Sequence, residues 1–147
     1  MKIGIGSDHT ALDMKRAIIE HLEAKGHQLH DYGTHTTDSC DYPVYAGLVA
    51  RAVRSGECDR GVLICGTGLG MSYAANKLRG IRAACCSEPV SARMATEHNN
   101  AQIICFGARI VGEQMGAAIV DAFFDAEFQG DRHQHRLDLI AEIEQAD

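Results

Sequence analysis

The stretch GVLICGTGLG, residues 61–70, reads as a short strand that runs into a glycine-rich turn and then into a helix. Residues 61–65 are apolar at nearly consecutive positions, as expected of a strand covered on both faces. A strand, a tight turn and a helically periodic segment in that order are one step of a βαβ unit. Outward from this point the same alternation recurs, with strand-like runs at residues 2–6, 28–32, 81–86 and 102–106. The expected architecture is therefore α/β, a parallel sheet of five strands flanked by helices.

The intervening segments carry helical signals. The first runs from about residue 10 to 25, with Thr10 and Asp13 as a capping box and Ala11, Met14, Ile18 and Leu22 on one stripe. The second begins near Pro43 after Asp41 as N-cap, buries Ala46, Val49, Ala50 and Val53, and closes at Ser55 and Gly56. A third opens in the glycine-rich turn and ends near Gly80; a fourth spans Ser87 and Pro89 to about His98. The fifth carries Met115, Ala118, Ile119 and Ala122, and the sixth follows Gly130 with Leu137, Ile140 and Ala141. No strand follows the sixth helix. It is expected to lie across the domain or to reach a partner subunit.

Composition narrows the class. The chain has 147 residues, 46% of them apolar and 23% charged, the size and balance of one globular domain over residues 1–147. Fourteen Lys and Arg against 20 Asp and Glu give a net charge of −6, so the broad positive field of a nucleic-acid binder is missing. The amino terminus meets a charge too early for a signal peptide, and no apolar run reaches the ~18 residues of a membrane span. A cytoplasmic protein without membrane or nucleic-acid partners is expected. The six cysteines, at 40, 58, 65, 85, 86 and 105, contain no C-x-x-C pair and are expected to be reduced thiols. Cys85 and Cys86 are neighbours in a strand and should face opposite ways.

Ligands of open α/β sheets collect beyond the carboxyl ends of the strands. The residues found there are Asp8 and His9, Cys65 to Gly70, Glu88, and Arg109. Gly66, Gly68 and Gly70 allow close backbone approach, and the helix start beside them supplies unpaired N–H groups, which together make an anion cradle. A P-loop is ruled out because G-x-x-x-x-G-K-[ST] does not occur. In a dinucleotide fingerprint the third glycine would stand at Met71, and here it falls one place early at Gly70, although Glu88 lies about where a ribose-binding acid would. Cys65, at the strand end before the cradle, stands where amide donors favour a thiolate.

Arg132 and Arg136 are at i and i+4 on one helix face, with His133 beside them, a fork suited to a phosphate dianion. A solvated helix start is the plain alternative, but it leaves the clustering of cations in an acidic chain unexplained. As a metal site the segment is poor, since His133 and His135 point in different directions and H-E-x-x-H is absent. No metal is expected. An anion cradle, one basic thiolate, histidines and a phosphate clamp are the parts that aldose–ketose isomerisation of a sugar phosphate requires. The reaction involves no net oxidation, so no cofactor is expected.

The blocks GSDHTALDMK, DYP at residues 41–43, ICGTGLGMSYAANK, GIRAACCSE, EHNNAQIICFGAR and DRHQHR, in this order along essentially the whole chain, resemble the type B ribose-5-phosphate isomerases. Galactose-6-phosphate isomerase subunits share that scaffold. The resemblance implies a Rossmann-like three-layer sandwich, a homodimer or dimer of dimers with active sites shared between subunits, and a last helix that crosses to the partner. It implies Cys65 as the proton-shuttling base, Gly66 to Gly70 with Thr67 as the enediolate cradle, and His98 as the ring-opening acid. Asp8, His9, Tyr42 and Asn99 would hold the sugar, with the phosphate as an alternative partner for His9; Arg109, Arg132, His133 and Arg136 would form the basic site, with Arg132 and Arg136 on the phosphate. A branch of the family carries a carboxylate base where this chain has Met71, which puts this chain in the cysteine branch. Ser7 stands where many members carry Cys or Ala.

The reaction implied is interconversion of D-ribose 5-phosphate and D-ribulose 5-phosphate. The alternatives are an isomerase of allose 6-phosphate, galactose 6-phosphate or a tetrose phosphate, since one carbon changes discrimination only modestly, and a non-catalytic sugar-phosphate or nucleotide-binding module.

Overall fold

A computed structural model describes residues 1–147. The elements in chain order are β1 (Lys2–Ser7), α1 (Leu12–Ala24), β2 (Gln28–Asp31), α2 (Tyr42–Ser55), β3 (Arg60–Cys65), α3 (Leu69–Ala75), β4 (Ala83–Cys85), α4 (Pro89–Glu97), β5 (Ile103–Gly107), α5 (Glu113–Asp125) and α6 (Arg132–Ala146). The five strands form one parallel sheet in the order β2-β1-β3-β5-β4. Succession runs outward from β1 to β2 on one side and through β3 on the other, so the crevice between the carboxyl ends of β1 and β3 is the topological switch point.

Strand alternation divides the core into two layers. Val62 and Ile64 of β3, with Ile104 and Phe106 of β5, pack against α1, α4 and α5 through Met14, Ile18, Ala92, Ile119 and Phe123. Leu63, Cys65, Ile103 and Cys105 face the opposite way, toward Ala46, Val49 and Val53 of α2 and Met71 and Ala75 of α3. The period of two in a strand therefore puts Cys65 on the α2/α3 side. Cys85 and Cys86 do face apart, the first exposed and the second in the core, and all six thiols are free.

Several boundaries differ from the sequence reading, each for a local reason. Thr10 does not cap α1. Its amide and hydroxyl both turn back to Asp8 Oδ1, at 3.0 and 2.6 Å, and the helix starts two residues later with no side-chain cap. α3 ends at Ala75 because the chain beyond tightens into i−3 bonds, Lys77 to Ala74 and Leu78 to Ala75. β4 is only three residues long: the side chain of Asn76 accepts from Ala83 N at 2.8 Å and donates to Ala83 O at 2.9 Å, taking the outer groups of this edge strand. In α5 the buried face is Gly116, Ile119, Val120, Phe123 and Phe124, with Met115 left 41% exposed.

The amino-terminal ends of the strands are tied together by Arg60. Its guanidinium donates to Phe123 O at 3.0 Å, Thr96 Oγ1 at 2.6 Å and Ala101 O at 2.8 Å, and lies 3.9 Å from the centroid of the Phe123 ring. Burial lowers its pKa to about 10, which still leaves a cation at neutral pH. The last helix buries only His133 and Leu137, and Leu139, Ile140 and Ile143 stay exposed. No helix is long and apolar enough to cross a membrane.

Candidate active site

The glycine-rich turn is shaped by what presses on it. Gly68 has φ +83°, and a Cβ there would lie 2.7 Å from the Phe106 Cα, so both the angle and the space demand glycine. A Cβ on Gly70 would fall 2.5 Å from Cζ of Tyr42, so the first residue of α2 closes over the first turn of α3. The turn thereby stays wrapped around the Cys65 side chain, 5% exposed, and the Gly68 amide donates to its sulfur at 3.1 Å. The amides of Gly66 and Thr67 donate to no acceptor within the chain, while Thr67 Oγ1 accepts from Leu69 N at 3.3 Å. A thiol beside two free donors is an arrangement that can move a proton and hold a developing oxyanion.

Around this turn stand the other residues expected at the strand ends. The Asp8 amide donates to Ile64 O at 3.2 Å, which joins the ends of β1 and β3. The Asp8 carboxylate is 8% exposed and engaged by Thr10. His9 Nδ1 accepts from the Cys40 amide at 3.3 Å, so the loop before α2 orients this imidazole. Arg109 follows β5; its amide donates to Gly66 O at 3.0 Å, and its side chain passes beside Gly66. Asp8, His9, Tyr42, Cys65, Gly66, Thr67, Gly68, Gly70 and Arg109 thus form one group at the carboxyl end of the sheet.

His98, Asn99, Arg132, His133 and Arg136 form a second group at the other end. α4 runs antiparallel to the strands, so His98 at its C-cap lies beside the amino-terminal ends, where Thr96 meets Arg60. Arg82, which precedes β4, donates to Asn99 O at 2.9 Å. The Gln129 amide donates to Glu97 O at 3.0 Å and delivers α6 to the same end. There His133 stacks on His98, with ring centroids 4.4 Å apart and planes 9° from parallel. Five residue steps along β3 separate the two ends, roughly 16 Å at about 3.3 Å per residue. Within one chain the phosphate fork and His98 therefore do not meet Cys65.

Glu88 is not placed to bind a ribose. It is the N-cap of α4, where its carboxylate accepts from Val90 N at 2.7 Å and Ser91 N at 2.9 Å, and the Ser91 hydrogen bond leads in holding its pKa below the usual carboxylate value. Two contributors escape a sequence reading. Gly107 ends β5 so close to the turn that a Cβ would lie 2.5 Å from Gly66 O and from Thr67 Cα; a glycine directly after an apolar strand was the available signal. Cys40 has no motif around it, and only the folded loop brings it to His9.

Comparison with known proteins gives the family of the chain. Residues 3–140 match the ribose/galactose isomerase family. The chain is 48% identical to ribose-5-phosphate isomerase B of Escherichia coli over 144 residues, 98% of this chain and 97% of that one. Its structure superposes on ribose-5-phosphate isomerase B of Clostridium thermocellum with a TM-score of 0.98 at 53% identity, covering 99% of both chains. A Mycoplasma genitalium ribose-5-phosphate isomerase B with bound ribulose-5-phosphate gives 0.94 at 41% identity, covering 99% of this chain and 97% of that one. With the family match spanning nearly its whole length, the chain belongs to the ribose/galactose isomerase family.

Proposed function

We propose that the protein interconverts D-ribose 5-phosphate and D-ribulose 5-phosphate through an enediolate, with Cys65 as the base. The observation that carries this reading is the sulfur of Cys65 held at the switch point by the Gly68 amide, next to the free amides of Gly66 and Thr67. His98 opens the sugar ring by passing a proton to the ring oxygen as the C1–O bond breaks and the anomeric hydroxyl gives its proton to solvent, leaving the aldehyde. Cys65, as thiolate, takes the proton from C2 of the open aldose and returns it to C1, while the proton of the C2 hydroxyl passes to O1 and C2 becomes the carbonyl. The amides of Gly66 and Thr67, with the Thr67 hydroxyl, hold the oxygen on which charge develops. Asp8, His9, Tyr42 and Asn99 hold the sugar hydroxyls, and Arg109, Arg132 and Arg136 grip the phosphate. The electron count of the sugar is unchanged, so the chemistry asks for no redox partner.

Two copies of the chain complete the site. The cradle at one end of the sheet and the His98 and arginine group at the other are both needed on one substrate, and a two-fold pairing of copies brings them face to face. The exposed Leu139, Ile140 and Ile143 on α6 support a last helix that lies against a partner. In this reading residues 1–147 act as one isomerase domain in the cytoplasm, where pentose phosphates are retained by their charge.

The test is to follow the interconversion with purified protein and to rank kcat/KM for ribose 5-phosphate, allose 6-phosphate, galactose 6-phosphate and a tetrose phosphate. Ribose 5-phosphate should rank first, with turnover unaffected by a chelator. Binding of sugar phosphates with no turnover of any would leave only a non-catalytic binding module.

A further inference from the structure

The ring of His133 is 6% exposed, and its Nε2 is buried without a hydrogen-bond partner. A protonated imidazole is a donor at both nitrogens. Charging this ring would bury a cationic N–H that has no acceptor, at a cost well above that of the neutral form. The groups facing it oppose a second charge as well. From its own helix come Arg132 and Arg136, and from α4 comes His98, stacked at 4.4 Å; Asp131 at the head of α6 is the one that favours charge. Glu97, which precedes His98, is committed to Arg93 at 2.8 Å. Burial first, then His98, Arg132 and Arg136, hold the His133 pKa below its ordinary 6.5.

A buried neutral ring is a poor phosphate ligand, but it is a good plate against which to fix another ring. We infer that His133 is a positioning residue for His98, an uncharged imidazole that sets the plane of its neighbour, and not a further cation of the phosphate clamp. The inference rests on the isomerase reading, in which His98 moves the ring-opening proton. Parallel stacking at 4.4 Å leaves His98 free to turn only within its plane, so its ring nitrogens are confined to that plane. An imidazole that must hand a proton to one ether oxygen gains from that restriction, because small misplacements in a proton-transfer pair cost up to about 100-fold in rate.

Two substitutions separate positioning from phosphate binding. His133→Phe keeps a flat ring and removes the titration and both nitrogens; His133→Ala removes the plate. With ribose 5-phosphate as the probe, His133→Ala should lower kcat by up to about 100-fold with KM little changed, and His133→Phe should recover most of kcat. A raised KM with unchanged kcat in both variants, or a Phe variant no better than the Ala variant, overturns the role. A second measurement needs no turnover. In an NMR titration of the full chain, the His133 ring signals, assigned by their loss in His133→Phe, should titrate with a midpoint below pH 6.5, the ordinary histidine value. The midpoint should rise in His98→Phe, which removes one of the groups that lower it. A midpoint at or above that value in the unaltered protein overturns the inference while leaving the isomerase reading intact. Absence of any sugar-phosphate turnover in the unaltered protein overturns that reading and the positioning role together, whatever the titration gives.

Discussion

The amide of Gly68 points at the sulfur of Cys65 from 3.1 Å, three residues on and on the same side of the sheet. Turn and thiol are therefore a single device, with the strand delivering the sulfur and the turn folding a donor over it. Cys65→Ala should remove the proposed base and leave the amide donors of the turn in place. A loss of about 100- to 10,000-fold in kcat is expected, the usual contribution of a general base, with substrate affinity retained. Steady-state kinetics combined with a direct binding measurement checks this, and a variant that keeps full turnover would remove Cys65 from the chemistry.

Gly68 and Gly56 make a controlled comparison of turn geometry. Both have φ near +80°, but a Cβ on Gly56 meets nothing within 4 Å, whereas one on Gly68 meets the Phe106 backbone at 2.7–2.9 Å. Gly56→Ala should cost only the left-handed angle, about 1–2 kcal/mol. Gly68→Ala should cost that and the overlap, which no side-chain rotation relieves. Urea unfolding of both variants gives the two values directly. Equal losses would mean that the contact between the turn and β5 carries no energy.

What could be read from the sequence followed from periodicity. The runs in β1, β3 and β5 are apolar on both faces because both faces are covered, and all three strands formed within two residues of expectation. Edges and caps were less legible. Thr10 has two short-range options, its own helix or Asp8, and only the fold of the β1 end chooses the second. β4 is shortened by a side chain, Asn76, that mimics a neighbouring strand, and no hydropathy pattern records that. The residues gathered around Cys65 could be located in the sequence because they follow strands. That His98 and Arg132 lie at the opposite end follows from the direction of α4, since every crossover helix in a parallel sheet returns the chain to the strands' amino ends.

Mixed dimers test whether the two ends meet. A Cys65→Ala chain retains His98 and the arginines, and a His98→Ala chain retains the thiol and cradle. When the two are co-assembled, one of the two sites in each mixed pair is intact, so about half the unaltered activity per mixed dimer is expected, on a symmetric pairing. Verified mixed dimers without recovery would show that each chain completes its own site.

Arg132 and Arg136 are exposed on the first turns of α6 and have no carboxylate partner in the chain. Replacing either with Ala should raise KM with little effect on kcat. Loss of a charge-assisted hydrogen bond, about 1.5–3 kcal/mol, corresponds to roughly a 10- to 150-fold increase. Part of the affinity should also fall with added salt, since exposed charges are screened. An unchanged KM in both variants would dismiss the clamp.

The seam between α1 and α5 predicts how stability responds to pH. Asp121 Oδ1 lies 2.9 Å from Lys25 Nζ and 2.8 Å from His21 Nε2, and Asp125 Oδ2 lies 3.1 Å from Lys25 Nζ. Burial pushes the Asp121 carboxyl up, but hydrogen bonds from Lys25 and His21 outweigh it and hold the group below its ordinary 3.8. The hydrogen bond to Asp121 leads in raising Lys25 above its ordinary 10.5, against an opposing effect of burial. A carboxyl depressed in the folded state contributes stability above its unfolded value, and that contribution disappears as pH falls through the folded value. Lys25 behaves in reverse, contributing below 10.5 and losing the contribution as pH rises through its higher folded value. Urea unfolding of the unaltered protein and of Asp121→Asn should therefore show a stability gap that is widest between these limits and narrows below 3.8 and above 10.5. Because the groups are partly exposed, added salt should shrink the gap at neutral pH as well. A gap that stays constant into acid would show that the seam is held by packing of the two helices and not by these charges.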